Sequence, residues 1–164
     1  MSDVRARRDC LADAAKVPVV MAGMAIVATF SALGVERIAL ACTYYSDDWT
    51  GRWARFVQAS GFDVFAAQNL ASQVMPRHDA DDRAYWAPSP EQICDSVRPI
   101  AKDAPEAQAI AISGAGSRTL SVIDALEDEI DRPVFGSDTA LYRVLAKAAD
   151  VALKPGIVGR ITNL

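Results

Sequence analysis

The sequence predicts an α/β fold: a parallel sheet flanked by helices on both faces. Three observations carry this. From residue 37 onward, short apolar runs alternate with amphipathic segments of helical length, in the order strand–helix repeated four times. The runs 37–42 (RIALAC) and 109–112 (AIAI) are almost continuously apolar, as strands covered on both faces are. Glycine, serine or threonine stands at the ends of three of these runs, in Cys42-Thr43-Tyr44, Ser113-Gly114-Ala115-Gly116 and Gly136-Ser137-Asp138. Parallel strands joined by helices require right-handed crossovers, and such sheets take ligands beyond the carboxyl ends of their strands.

Each element has its own signals. Residues 3–15 mix charge with Leu and Ala and predict a short helix, and 17–20 (VPVV) a brief strand. Residues 21–33 predict a buried helix stopped by Gly34. After the strand at 37–42, Ser46 or Asp47 caps a helix over 47–60 that Gly61 ends. Trp49, Trp53 and Phe56 recur on it at helical spacing and read as core or interface. Residues 62–65 predict a second strand. Residues 67–88 lack periodicity and read as a long loop with Pro76, His78, Asp79, Asp81 and Asp82. Ser89-Pro90-Glu91-Gln92 is a capping-box start, with Pro99 expected to kink or shorten the helix it opens. Then come a strand at 109–112, a helix over 117–130 with Asp124, Glu127 and Asp128 facing water, a short strand at 132–135 and a helix from Ser137 or Asp138 to about Ala149. The tail from Lys154 reads as irregular.

Composition narrows the function classes. Of 164 residues, 51% are hydrophobic, enough for one domain with a real core. The net charge is −4 and no basic stripe follows Arg5-Ala6-Arg7-Arg8, which argues against nucleic acid as a partner. Cys10, Cys42 and Cys94 are far apart, with no CxxC pair or zinc spacing, so no metal site is expected and a reducing cytoplasm suits them. Residues 17–35 carry no charge and approach the length of a membrane span. Asp3, Asp9 and Asp13 spoil a positive leader, Glu36 and Arg37 interrupt the apolar run before Leu40-Ala41-Cys42, and Pro18, Gly23 and Gly34 lie within it, so no membrane role is expected.

The three strand-end turns each lead to a helix N-terminus with free N–H groups, a pocket suited to a small anion. A nucleotide is disfavoured. Gly114-Ala115-Gly116-Ser117-Arg118-Thr119 lacks the third glycine of a dinucleotide fingerprint, and no Gly-Lys-Ser/Thr exists. A tight turn without a ligand remains the plain alternative.

Three stretches resemble one family: residues 32–40 (ALGVERIAL), 118–127 (RTLSVIDALE) and 133–142 (PVFGSDTALY). They are similar to the aspartate/glutamate racemase superfamily, in its arylmalonate decarboxylase and maleate cis–trans isomerase branch, and the resemblance runs from about residue 10 to Arg160. It implies two similar α/β lobes with the active site between them and neither metal nor organic cofactor. It implies chemistry at the carbon next to a carboxylate, with cysteine as acid, base or nucleophile and the carboxylate held by backbone N–H groups and hydroxyls. Carried onto this chain, the substrate-binding positions are Thr43, Tyr44, Ser113, Gly114, Ala115, Gly116 and Ser137.

The chain departs from that pattern in two places. The segment bearing the first lobe's cysteine turn is absent. Residues 1–35 correspond to a helical remnant of that lobe, 36–150 to the α/β lobe and 151–164 to a tail, so the chain is expected to be a truncated form. Gly114 stands where the second lobe has its cysteine, so the resemblance implies a catalytic turn without its thiol and no intact catalytic residue. Cys42 is either a displaced thiol or a buried, inert one; Cys10 and Cys94 lie on helices and His78 in the loop. The function expected is therefore impaired family chemistry on a small mono- or dicarboxylic acid, or non-catalytic carboxylate binding. With strands of the first lobe missing, helix 21–33 is expected to expose apolar surface and the chain to form a homo-oligomer.

Overall fold

The computed structural model describes residues 2–43, 45–69, 88–114 and 116–164. In chain order the elements are α1 (Ser2–Ala15), α2 (Ala22–Leu33), β1 (Arg37–Ala41), α3 (Asp47–Gln58), β2 (Asp63–Gln68), α4 (Pro90–Asp103), β3 (Ala109–Ile112), a 3₁₀ turn (Thr119–Ser121), α5 (Ile123–Ile130), β4 (Val134–Gly136), α6 (Ser137–Ala148) and a terminal 3₁₀ turn (Gly159–Asn163). The four strands form one parallel sheet in the order β2-β1-β3-β4. The chain leaves β1 toward one edge and then returns to its other side, so β1 and β3 flank the point where the winding reverses. A crevice opens at such a point, beyond the carboxyl ends of the strands.

Alternation along the central strands divides the core in two. Ile38, Leu40, Cys42, Ala109, Ala111 and Phe135 meet α2, α3 and α6 through Ala25, Ile26, Phe30, Val57 and Ala140. Ala39, Ala41, Ile110, Ile112 and Val134 meet α4 and α5 through Ile93, Val97, Ile100 and Leu126. Phe30 anchors the first layer, its ring 5.0 Å from Phe135 and 5.4 Å from Phe62. A bulge in the β1–β2 ladder lets Val64 pair with Ile38 and Ala66 with Ala39, leaving Phe65 without a partner residue and half exposed.

Several expectations are met closely. Gly34 stops α2 in the left-handed conformation, Ser46 caps α3 through Trp49 N, and Ser89 with Gln92 forms the capping box of α4. Others are corrected. Residues 17–20 form no strand. Pro99 does not end α4, which continues to Asp103. Its flanking Val97 and Ile100 are wholly buried on the sheet, and that packing outweighs the lost N–H. At its far end Arg132 donates to the carbonyls of Ala101, Ala104 and Ala107, closing the helix. No helix runs from 117: the chain makes a turn and a 3₁₀ segment first, and α5 begins at Ile123.

Glu127 does not face water. It is buried, with Oε1 accepting from Val134 N at 2.9 Å and Oε2 from Arg160 N at 2.8 Å. It thereby ties β4 and the tail to α5, and the tail is less irregular than expected: Val158 and Ile161 are core residues. Helix α2 does not present the expected apolar face. Ala25, Ile26 and Phe30 are buried, and no large apolar side chain of α2 is exposed, because α2 packs against α6 and the sheet. The long loop and His78 lie outside the described residues, and among those described no helix is long and apolar enough to cross a membrane.

Candidate functional site

Buried polar side chains gather where the carboxyl ends of the strands meet the following segments. Thr43 follows β1, Asn69 follows β2, Ser113 follows β3 and Ser137 follows β4, all at most 4% exposed. Thr50, Ser96, Ser117, Thr119 and Thr139, from α3, α4, the β3 turn and α6, are buried with them. Interiors carry such groups only when they are paired or have work to do.

Most are paired. Thr43 Oγ1 lies 3.4 Å from Ser96 Oγ, which donates to Ile93 O at 2.7 Å. Asn69 Nδ2 donates to Asp47 Oδ1 at 2.8 Å and to Thr50 Oγ1 at 3.3 Å, joining the end of β2 to the start of α3. At the end of β4, Ser137 Oγ accepts from Gly114 N at 3.1 Å and lies 3.4 Å from Ile112 O. One residue on, Asp138 accepts from Thr119 N, Thr119 Oγ1 and Thr139 N. A Cβ at Gly136 would stand 2.3 Å from both Asp138 Oδ1 and Thr119 Oγ1, so this clamp closes only over glycine.

Two hydroxyls stand apart. Ser113 Oγ and Ser117 Oγ, at either end of the β3 turn, are buried and have no hydrogen-bond partner among the described residues. The Ser113 hydroxyl lies near enough to the Cys42 thiol to favour its ionisation slightly, without the geometry of a full hydrogen bond. Burial dominates at Cys42, pushing its pKa up to about 12 against the smaller effects of Thr50 and Ser113. The thiol is therefore protonated at neutral pH and is not a nucleophile there. Gly114, between the two serines, has φ 118°, a backbone that side-chain-bearing residues rarely adopt.

The expected site is thus brought together in part. Thr43, Ser113, Gly114 and Ser137 meet at one end of the sheet, while Gly116 is exposed and Tyr44 and Ala115 lie outside the described residues. The amides are not free in the way the turns implied: Ser113 N donates to Ala41 O, Gly114 N to Ser137 Oγ and Ser117 N to Gly114 O. The β3 turn does not lead directly to an α-helix either. Ser117, Thr119 and Asp138 are not among the binding positions that the sequence predicts. Only the serine spacing across Gly114 hinted at the first, and nothing local signals the other two, whose partner residues are 19 apart.

The sequence profile of the arylmalonate decarboxylase family matches residues 5–161. The chain belongs to this family. The solved arylmalonate decarboxylase superposes with a TM-score of 0.84 at 23% identity, covering 99% of this chain and 68% of that one. The maleate isomerase of Pseudomonas putida S16, solved with maleate, gives 0.81 at 19% identity, covering 96% and 62%. The maleate cis–trans isomerase of Nocardia farcinica, solved with a covalently bound succinylcysteine intermediate, gives 0.79 at 21% identity, covering 96% and 63%. At these identities the likeness is one of fold, and this member of the arylmalonate decarboxylase family spans about two thirds of each neighbour's length. These neighbours belong to the Asp/Glu racemase superfamily, so the resemblance read from the sequence is borne out. No curated protein matches the chain by sequence.

Proposed function

We propose that this chain binds a small mono- or dicarboxylic acid at the ends of β1, β3 and β4, and that the cofactor-independent chemistry at the carbon next to the carboxylate is impaired in it. One observation carries the binding: Ser113 Oγ and Ser117 Oγ are buried within one turn and have no hydrogen-bond partner among the described residues. Each unpaired polar group costs about 1–3 kcal/mol, which a carboxylate accepting from both hydroxyls offsets. Ser137 supports them. Its oxygen accepts from Gly114 N, while its weak contact with Ile112 O leaves the hydroxyl proton able to turn to a ligand.

Donors fixed around carboxylate oxygens are what an enediolate or carbanion beside a carboxylate needs. They do not supply the proton. The family resemblance places that task on a thiol at Gly114, and glycine has none. Loss of a general acid or base costs about 10²–10⁴-fold in rate. Cys42 is no replacement, because it is buried and protonated. A second reading, binding without catalysis, is favoured by the backbone of Gly114: at φ 118° the turn is shaped for glycine and does not await a cysteine.

The test is a titration with maleate and phenylmalonate, followed by calorimetry and by proton NMR in D₂O. Saturable binding is expected, weakened about 10-fold by Ser113→Ala, with turnover near background. Absence of binding overturns the carboxylate site, and brisk turnover overturns the impairment.

A further inference from the structure

Each helix from α2 to α6 buries at least two residues against the sheet or a neighbouring helix. Helix α1 buries none of its described side chains: Val4, Arg8 and Ala12 are partly buried and the others are exposed. Lys16, at φ 56°, ends it in the left-handed conformation. A helix of 14 residues without packing is marginal in water, so α1 needs a partner to hold it.

Its charges sharpen that need. Asp3, Arg5, Arg7 and Arg8 give the first half a net charge of +2, and Asp9 and Asp13 give the second half −2. A helix favours the reverse, anions near its start and cations near its end. Arg8 pairs with the adjacent Asp9, but Arg5, Arg7 and Asp13 have no ion-pair partner among the described residues.

We infer that α1 is an interaction surface for a second copy of this chain, the two helices packed antiparallel about a two-fold axis level with Cys10. Each positive half then lies along the negative half of the other copy, and the two helix dipoles oppose. Ala6, Cys10 and Ala14 recur at i, i+4 and i+8 and so share one face, turned away from Val4, Arg8 and Ala12, and all three are exposed. Their small side chains let two helices approach closely. An axis at Cys10 sets Ala6 opposite the partner's Ala14 and Arg7 level with the partner's Asp13, with no two like charges level. Leu11, 48% exposed, adds apolar area beside this face. The homo-oligomer thus forms through α1 and not α2. The helix spans only about 21 Å, less than a standard interface needs, so the dimer is weak.

Sedimentation of the full chain between about 10 and 500 μM is the test. The average mass is expected to rise from 17.6 kDa toward twice that value, with a dissociation constant of about 100 μM. Arg7→Glu, an exposed change, is expected to weaken association about 10-fold, and Arg7→Glu with Asp13→Arg to recover it. Bismaleimidoethane, which adds one thiol at each end, is expected to link two copies through Cys10 and to fail in Cys10→Ser. A mass that stays at 17.6 kDa across this range overturns the assignment. So does a dimer that is unaffected by Arg7→Glu, or that is linked as well in Cys10→Ser, since either would place the contact elsewhere.

Discussion

Asp138 grips Thr119 at two points: its carboxylate accepts the threonine hydroxyl at 2.6 Å and the backbone N–H at 3.1 Å. The first residue pair beyond β4 thereby holds the segment that follows β3, so the turn bearing Ser113, Gly114 and Ser117 is held from α6 as well as by its own Ser117 N–Gly114 O bond. The same carboxylate takes Thr139 N, placing a half-buried acceptor at the start of α6. Asp138→Ala should cost about 2–3 kcal/mol in urea denaturation, because it removes bonds to a charged acceptor and leaves Thr119 N unpaired. Asp138→Asn should recover part of that loss.

Gly136→Ala should destabilise by about 2–3 kcal/mol, since its methyl meets Thr119 Oγ1 and Asp138 Oδ1 at 2.3 Å. If the clash is with the clamp, the cost should shrink in a Thr119→Ala background, and a double-mutant cycle measures that coupling.

How far the sequence reveals this fold depends on where each cause lies. The strands at 37–41 and 109–112 declare themselves, because residues buried on both faces must be apolar throughout. Gly34, Ser46 and the Ser89–Gln92 box act within a few residues and were equally legible. The misread features have distant causes. Residue 117 does not open a helix because Asp138 pulls Thr119 into a turn. Pro99 is carried through α4 by contacts of Val97 and Ile100 with the sheet. Glu127 reads as surface, since acidic residues usually are, and only the fold brings Val134 N and Arg160 N to its carboxylate. At the site, the serines and glycines are visible as residue types, but not that Ser137 accepts from Gly114 N or that the Ser117 hydroxyl has no partner among the described residues.

Glu127 should give stability a recognisable pH dependence. Burial raises its pKa above the ordinary 4.5, outweighing the N–H bonds from Val134 and Arg160. A carboxyl raised in the folded state contributes stability that is full below its unfolded value and lost as pH rises through the folded one. Lowering the pH from 7 toward 4.5 should therefore favour wild type progressively over Glu127→Gln, read from urea midpoints of both proteins across that window.

Arg143 is 6% exposed, and its Nε has no partner among the described residues; burial lowers its pKa. A buried cation without a carboxylate costs more than apolar packing of the same volume. Arg143→Met should raise stability by about 1–2 kcal/mol, seen as a higher urea midpoint.

Gly114→Cys should destabilise the protein by about 1–3 kcal/mol, the cost of forcing a side chain onto φ 118°, and turnover of maleate should stay at background. In thiol labelling at pH 8, exposed Cys10 should react quickly, while Cys42, held protonated with a pKa of about 12, should react only on unfolding.

The most direct test of the account is a maleate titration of ¹⁵N-labelled protein followed at the amides of Ser113, Gly114 and Ser117, beside the Ser113→Ala/Ser117→Ala double variant. The account predicts saturable shifts at these three amides, much reduced in a double variant that remains folded. Shifts that are absent, or the same in both proteins, would contradict a carboxylate site at this turn.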